Sequence, residues 1–142
     1  MSTGDLQRFV KAQVGTYDDA LEEITNGRKR THWMWFIFPQ IKGLGYSETS
    51  KYYAINDLKE AENYLIHPLL GARLVEICYA LLKHRDLTAS SIFGKPDDMK
   101  LKSCMTLFAS VPGTDGVFQA VLDAFFDSDT DFQTLTILKP RI

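Results

Sequence analysis

The sequence predicts an all-α fold, an irregular single-domain bundle of about seven or eight short helices that spans residues 1–142. Three observations predict it. Apolar side chains recur at helical spacing along most of the chain. No rhythm of alternating strands and helices, no internal repeat and no low-complexity tract is present. The length of 142 residues, with 45% apolar and 24% charged residues, is typical of one globular domain with one core.

Two helices are predicted at the start of the chain. The first runs from Asp5 to Val14. The second begins at Thr16, whose hydroxyl can accept an unpaired backbone N–H. It ends at Gly27, since glycine readily adopts the left-handed conformation found at helix C-termini. The basic link 28–30, with the sequence Arg-Lys-Arg, follows and is expected to be a surface loop.

An unusually aromatic segment comes next, His32–Phe38, with two tryptophans and two phenylalanines in seven residues. We expect Thr31 to cap it and Pro39 to stop it, because proline disfavours helical geometry in the residue before it. Apolar groups surround it on all sides, which predicts enclosure by the rest of the fold. The favoured interpretation is a central core element. The alternative is the wall of a ligand pocket, in which Trp33 or Trp35 stacks on a flat group.

Six further helices are predicted from capping residues, prolines and apolar stripes: 47–55, 57–65, 68–81, 88–93, 97–111 and 114–125. Asp57 and Glu60 have the spacing of a capping box. Asp97 or Asp98 is expected to cap the fifth of these helices. The tail from Asp131 to Leu138 is ambiguous, because it fits both a strand and a helix.

Composition and the termini argue against several classes of protein. The formal net charge of −2 and the pI of about 5.9 disfavour nucleic-acid binding, which uses basic surfaces. The N-terminus lacks a signal peptide, and the longest apolar run of seven residues is far below the ~20 of a membrane span. We therefore expect a cytoplasmic protein with no membrane partner. Cys78 and Cys104 lie in apolar patterns, which predicts buried, reduced thiols, although their even number allows one disulfide.

Polar residues at both ends of the aromatic segment mark a candidate ligand site. His32 precedes the segment and Gln40 follows it. Gly43 and Gly45 then form a turn that lets backbone approach a ligand closely. Ser47 either points into the same pocket or, as we favour, caps the helix that begins there.

Histidine and arginine residues near the central helix give further candidates. His67 precedes Pro68 and is either a catalytic base or, as favoured, a residue that fixes a tight turn and caps a helix. Arg73 lies at the edge of an apolar stripe. Its guanidinium either extends along that stripe into solvent or is held there to bind an anion.

A small basic cluster opens the helix predicted at 97–111. Lys95, Lys100 and Lys102 lie near its start, where backbone N–H groups also favour anions, and Ser103 adds a hydroxyl. A solvated face is the favoured interpretation and an anion site the alternative. No cofactor is predicted. Metal binding is disfavoured because the three histidines are far apart and no HExxH spacing occurs.

The motif THWMWFIFPQ at 31–40, followed by the Gly-Leu-Gly turn at 43–45 and Ser47, resembles the hallmark of a bacterial family, domain of unknown function 1810. Further matching stretches are 60–61, 64–65, 67–68, 70–71, 73–74, 92–94, 97, 100, 102–104 and 106–108. The resemblance covers nearly the whole chain and implies an all-helical fold without an established activity. Some members carry the label calpastatin, a calpain inhibitor. Calpastatin is polar and largely disordered, whereas this sequence has the apolar content of a folded domain.

The leading hypothesis is a domain that binds or processes a small anionic, possibly nucleotide-like, metabolite in a pocket between the aromatic segment and the helices carrying Arg73 and Lys102. A tryptophan would stack on the ligand, while charge and proton transfer would come from Arg73, Lys100, Lys102, His32 and His67. Whether the protein is an enzyme is left open. One alternative is a protein-interaction module in which the aromatic segment is entirely core. Another is a nucleic-acid-associated factor that uses the basic link 28–30.

Overall fold

The computed structural model describes residues 6–139 of the chain, and helices dominate this part. They are α1 Gln7–Gln13, α2 Thr16–Thr25, α3 Met34–Ile37, α4 Glu48–Tyr52, α5 Leu58–Ile66, α6 Leu70–Leu82, α7 Ala89–Phe93, α8 Asp97–Ala109, α9 Val117–Phe126 and α10 Phe132–Leu138. Residues 6–139 contain no strand and only one isolated β-bridge, between Ile41 and Ile55. The all-α prediction is confirmed. The number of helices exceeds the predicted seven or eight because the aromatic segment and the tail each add one. The start predicted at Asp5 lies outside the described residues.

Several predicted helix ends are confirmed. The side chains of Ser47, Asp57 and Thr88 each accept the backbone N–H three residues later, at the start of α4, α5 and α7. Only half of the predicted capping box forms, because Glu60 accepts the N–H of Asn56 at 2.8 Å, one residue before the cap Asp57. These caps depend on local sequence alone, which is why the sequence predicts them.

Three predicted caps are wrong. A side-chain cap needs an extended residue before the helix, but Gly15 precedes α2 with φ +73° and Thr16 is already helical. The Thr31 hydroxyl donates to a distant carboxylate instead of capping α3. Asp97 and Asp98 lie within the first turn of α8, behind Pro96. In each case the backbone conformation or a distant hydrogen-bond partner prevents the side chain from capping the helix.

The tail is helical. Asp131 caps α10 by accepting the N–H of Thr134 at 3.0 Å, and Thr134 is fully buried. The Asp131 N–H itself donates to the hydroxyl of Thr106 in α8 at 2.9 Å. The strand-like alternation at 135–137 therefore lies within a helix that is fastened to α8 at its first turn.

The core lies around α6 and α8. Helix α6 packs against α2, α5 and α9, and α8 packs against α5, α7, α9 and α10. A row of aromatic rings crosses this core with centroid separations of 5.2, 5.4 and 5.8 Å; it consists of Phe9, Tyr64, Phe108 and Phe118. Such pairs add to the stabilisation from buried area.

Helices α5 and α6 meet at a tight corner. A Cβ on Gly71 would overlap the carbonyl oxygen of Leu65, so only glycine permits this approach. No single helix in residues 6–139 is long and apolar enough to cross a membrane; α5 and α6 together reach that length and apolar content, but they are bent by 86°.

The cysteines behave as predicted. Cys78 on α6 and Cys104 on α8 are free and fully buried. Burial raises the pKa of both thiols well above the ordinary value. The Cys78 Sγ lies 3.7 Å from the Sδ of Met105, so this contact joins the two central helices.

Candidate functional site

The aromatic segment folds as the short helix α3 with one aromatic residue on either side. Trp33 is fully buried, and Phe38 is 1% exposed. Both rings pack against Phe93 of α7, at centroid distances of 6.4 and 5.7 Å. Packing is therefore the main role of the segment, in agreement with the favoured interpretation. Trp35 is half-buried and remains partly accessible.

A carboxylate of α2 closes the N-terminal end of the segment. Oε1 of Glu23 accepts the backbone N–H groups of Arg30 and Thr31 at 2.7 and 3.0 Å and the indole N–H of Trp33 at 2.9 Å. Oε2 accepts the Thr31 hydroxyl at 2.7 Å. Burial acts to raise the pKa of Glu23, but these hydrogen bonds outweigh it and lower the pKa to about 2. We call Glu23, Arg30, Thr31 and Trp33 the Glu23 cluster.

One carboxylate links the two ends of the segment. Asp97 Oδ2 lies 3.0 Å from Nζ of Lys29, and its Oδ1 lies 3.6 Å from Nζ of Lys100. Each ammonium also sits over an indole, Lys29 at 5.1 Å from the ring centroid of Trp33 and Lys100 at 5.5 Å from that of Trp35. Two positive charges thus share one negative charge. The positive charge left over is on the side of Lys100, which lies farther from Asp97.

The C-terminal end of the segment is fixed through backbone rather than side chains. The Ile55 N–H donates to the Gln40 carbonyl at 2.8 Å, and the Lys42 N–H donates to the Ile55 carbonyl at 2.8 Å. The glycine turn then packs directly on α4, because a Cβ on Gly45 would overlap that of Ser50. The Gln40 side chain makes no hydrogen bond within residues 6–139 and is half-buried.

An open cleft of about 550 Å³ lies at this end. The turn and α4 contribute Gln40, Leu44, Gly45 and Ser50; the start of α8 contributes Pro96, Met99, Lys100 and Ser103; the start of α10 contributes Asp131, Phe132 and Gln133. We call it the Lys100 cleft. Its volume lies within the ~300–1,000 Å³ range of small-ligand sites.

The cleft carries charges of both signs, and they differ in availability. The Asp131 carboxylate accepts from both the N–H and the hydroxyl of Thr134 as the cap of α10. Among the described residues Lys100 makes one ion pair, at 3.6 Å with Asp97, which Lys29 approaches more closely. The Ser103 hydroxyl donates to the Met99 carbonyl at 3.2 Å and keeps its acceptor capacity. Lys100 thus shares its carboxylate partner with a closer lysine, while Asp131 accepts hydrogen bonds through Oδ2 and makes no ion pair among the described residues.

Four of the residues predicted from sequence meet in the cleft: Gln40, Gly45, Lys100 and Ser103. Two others lie beside it without lining it. Ser47 is exposed and caps α4. Gly43 has φ +109°, a conformation that favours glycine, and a Cβ there would approach Ile137 of α10 at 3.3 Å. Its role is to let the turn pass close to α10.

Arg73 and Lys102 are not brought to this cleft. Arg73 lies over the ring of Tyr17 at 4.9 Å and donates to Oε1 of Gln13 at 3.2 Å. Lys102 forms an ion pair with Asp129 at 2.7 Å on another face of α8. The two predicted anion-binding residues are thus placed in separate surroundings, and neither lines the cleft.

The two predicted catalytic histidines are also apart from the cleft. His67 Nδ1 accepts the backbone N–H groups of Leu69 and Leu70 at 3.1 and 3.2 Å, so the ring caps α6. His32 is exposed beside the Glu23 cluster and makes no hydrogen bond within residues 6–139. Nothing in the described chain orients it for proton transfer.

The basic link presents fewer cations than its sequence suggests. The Lys29 side chain is only 8% exposed because it pairs with Asp97, and its N–H donates to the Ile92 carbonyl at 2.7 Å. Arg28 and Arg30 remain exposed. Within residues 6–139, no group of three or more His, Cys, Asp or Glu side chains is arranged to hold a metal ion.

Comparison with known proteins places the chain in a family. The model of the family described as "Protein of unknown function (DUF1810)" matches residues 3–138. The chain belongs to this family. It is also similar to a solved structure, the conserved hypothetical protein Rv1873 from Mycobacterium tuberculosis, with 44% sequence identity, a TM-score of 0.94 and coverage of 96% of this chain and 98% of that one. No curated protein matches. The resemblance seen in the hallmark motif is thereby confirmed.

Three residues at the site of this DUF1810 chain were not singled out from sequence as site residues. Asp97 is shared by two lysines, and Asp131 and Phe132 bring α10 to the cleft. Phe132 is 79% exposed, which is unusual for a large apolar side chain. An Asp followed three residues later by Thr134 is a local signal for the cap. The contact between α10 and α8 has no such signal, because its partner Thr106 is 25 residues away.

Proposed function

We propose that this chain binds a small anionic ligand with a flat body, of nucleotide-like chemistry, in the Lys100 cleft. The observation that supports this best is that polar side chains from three separate parts of the chain surround one incompletely paired ammonium group. Lys100 would hold the carboxylate or phosphate of the ligand by a charge-assisted hydrogen bond. If Lys100 turned from Asp97 to the ligand, the Asp97 carboxylate would remain paired with Lys29, which already lies closer to it.

The rest of the cleft suits a flat polar body. Phe132 offers an exposed ring on which such a group can stack. The side-chain amides of Gln40 and Gln133, unpaired within residues 6–139, can donate to and accept from its edge. In this proposal Phe132 takes the stacking role, because Trp33 has no exposed surface and Trp35 lies beneath Lys100.

The proposal is for binding and assigns no catalytic step. His32 and His67, the groups best suited to transfer a proton near neutral pH, do not line the cleft. Asp131 does, and no catalytic role is assigned to it, since its Oδ2 serves as the cap of α10.

Titration with adenosine 5′-monophosphate, followed by intrinsic tryptophan fluorescence, tests the proposal. Trp35 lies 5.5 Å below the Lys100 ammonium, so occupation of the cleft should change its emission. We expect saturable binding that is stronger for the monophosphate than for uncharged adenosine. Lys100→Gln should weaken it about tenfold or more, the range of a lost charged hydrogen bond.

Lys102→Gln is the matched control. It removes the same charge from the same helix, two residues away, at a side chain that pairs with Asp129 outside the cleft. Its affinity should stay within about twofold of the unmodified protein, since surface pairs contribute little. Equal losses in both variants, or no saturable change with either compound, would contradict the proposal.

A further inference from the structure

A second cavity, of about 610 Å³, lies on a different part of the molecule and shares no residue with the Lys100 cleft. It is formed where the end of α5 and the first half of α6 face the loop 111–116 that leads from α8 to α9. The close approach at Gly71 fixes the angle between α5 and α6, and so fixes one wall. We call this cavity the Val75 groove.

The groove is mainly apolar. Leu65, Ile66, Val75, Val111 and Pro112 line it, and Phe118 of α9 lies at its base. Ile66 is 74% exposed, although it is a large aliphatic side chain. Such exposure costs free energy unless another apolar surface covers it.

The charged residues of the groove all have one sign. Glu62, Glu76 and Asp115 line it, and none of its lining residues is basic. Glu62 is paired with Lys59 in an exposed contact at 3.2 Å. Glu76 Oε1 accepts the Tyr17 hydroxyl, while Asp115 Oδ1 accepts the Tyr79 hydroxyl and the Val117 N–H. Within residues 6–139, the second carboxylate oxygens of Glu76 and Asp115 have no hydrogen-bond partner.

A neutral polar atom in the groove is also unsatisfied. The hydroxyl oxygen of Thr114 is buried and has no hydrogen-bond partner among the described residues. A buried hydroxyl without a partner costs free energy, so the wall of the groove is not fully satisfied by its own hydrogen bonds at this point. Thr114 and Asp115 are consecutive residues, and both line the groove.

We propose that the Val75 groove is a second binding site, for a small organic cation: a protonated amine or guanidine on an aliphatic or aromatic body. The body packs against the apolar wall around Val75, and the cation pairs with Glu76 and Asp115. The volume lies in the ~300–1,000 Å³ range of small-ligand sites, and the carboxylates of the groove complement a cationic ligand. The proposal is independent of the one made for that cleft.

Phenethylamine, protonated at neutral pH, is the probe, and 2-phenylethanol is its uncharged counterpart of similar shape. Binding is followed by amide chemical shifts in two-dimensional NMR spectra of the full chain. We expect phenethylamine to shift the amides of Ala72, Val75 and Thr114 in a saturable way, with at least tenfold weaker binding of the alcohol.

The double variant Glu76→Gln, Asp115→Asn should weaken phenethylamine binding at least tenfold, while both amides retain an oxygen for Tyr17 and Val117. The matched control is Glu22→Gln, Asp86→Asn, which removes the same two charges at exposed positions outside the groove. Thermal unfolding checks that both variants are folded. Equal binding of amine and alcohol, equal loss in both double variants, or the absence of saturable shifts at these amides would overturn the proposal.

Discussion

The two ends of the aromatic segment place similar residues in different surroundings. At the N-terminal end, one carboxylate of the Glu23 cluster accepts four hydrogen bonds and the ring of Trp33 is fully buried. At the C-terminal end, Gln40 is held by its backbone and its side chain has no partner within residues 6–139. Where the polar groups beside the aromatic rings have hydrogen-bond partners, they are part of the core. Where a polar side chain has no such partner, it lines an open cleft.

The two lysines that share Asp97 repeat this contrast. Lys29 approaches the carboxylate at 3.0 Å and is 8% exposed, whereas Lys100 lies at 3.6 Å and is 25% exposed. Each stands over an indole ring. The first arrangement is a closed structural contact, and the second keeps the ammonium accessible from the cleft.

The largest expected effect is at the closed end. Trp33→Ala should lower the free energy of unfolding by about 3–5 kcal/mol, because it empties a fully buried site and removes one of the four hydrogen bonds to the Glu23 carboxylate. Trp35→Ala should lower it by about 1–2 kcal/mol, since that ring is half-buried. Urea unfolding followed by circular dichroism measures both. Similar losses in the two variants would contradict the assignment of Trp33 to the core and Trp35 to the cleft side.

The next effect concerns the backbone that shapes the open end. Gly45→Ala should lower the free energy of unfolding by about 1–3 kcal/mol, because the new methyl group overlaps Cβ of Ser50. Adding Ser50→Gly removes that Cβ and should recover part of the loss. The double-mutant cycle gives the coupling directly. If the two losses simply add, the turn does not depend on this contact.

A smaller effect on the free energy of unfolding, which depends on pH, is expected at the N-terminal end of the aromatic segment. Folding lowers the pKa of Glu23 from 4.5 to about 2, so its carboxylate stabilises the folded chain above pH 4.5 and loses that contribution as the pH falls toward 2. Partial exposure screens the contribution to about 1–2 kcal/mol. Unfolding of Glu23→Gln and the unmodified chain should therefore differ by this amount at pH 7 and converge near pH 2. A difference that is independent of pH would rule out the charge as its cause.

The smallest effect on stability is expected at the open end. Gln40→Ala should change the free energy of unfolding by less than about 0.5 kcal/mol, because no hydrogen bond within residues 6–139 is lost. The same variant should weaken adenosine monophosphate binding in the Lys100 cleft. A large loss of stability would show that the Gln40 side chain is a structural group, like Glu23.

Local sequence predicts features that depend on neighbouring residues. The caps at Ser47, Asp57 and Thr88 follow from side chains that bond three residues ahead, and the stripe beginning at Leu70 becomes α6. Thr31 fails as a cap because its hydroxyl is taken by Glu23, eight residues earlier and on another helix. Propensity cannot indicate such competition between a local and a distant partner.

The candidate site shows the same limit. Gln40, Gly45, Lys100 and Ser103 were predicted from residue type and position, and they meet in one cleft. Arg73 was chosen on the same grounds, yet its guanidinium is held by Gln13 and the ring of Tyr17, which come from α1 and α2. Which cation faces a cavity is decided by tertiary packing, and no spacing along the chain encodes it.

Because Cys78 and Cys104 are buried, the rate at which they are alkylated reports how often the core of the folded chain opens. Alkylation needs a thiolate that reagent can reach, and burial denies Cys78 and Cys104 both conditions in the folded state. Since both thiols are fully buried and Cys78 contacts Met105 of α8, labelling requires the packing around α6 and α8 to open. The rate of labelling under native conditions therefore measures the opening of the centre of the molecule.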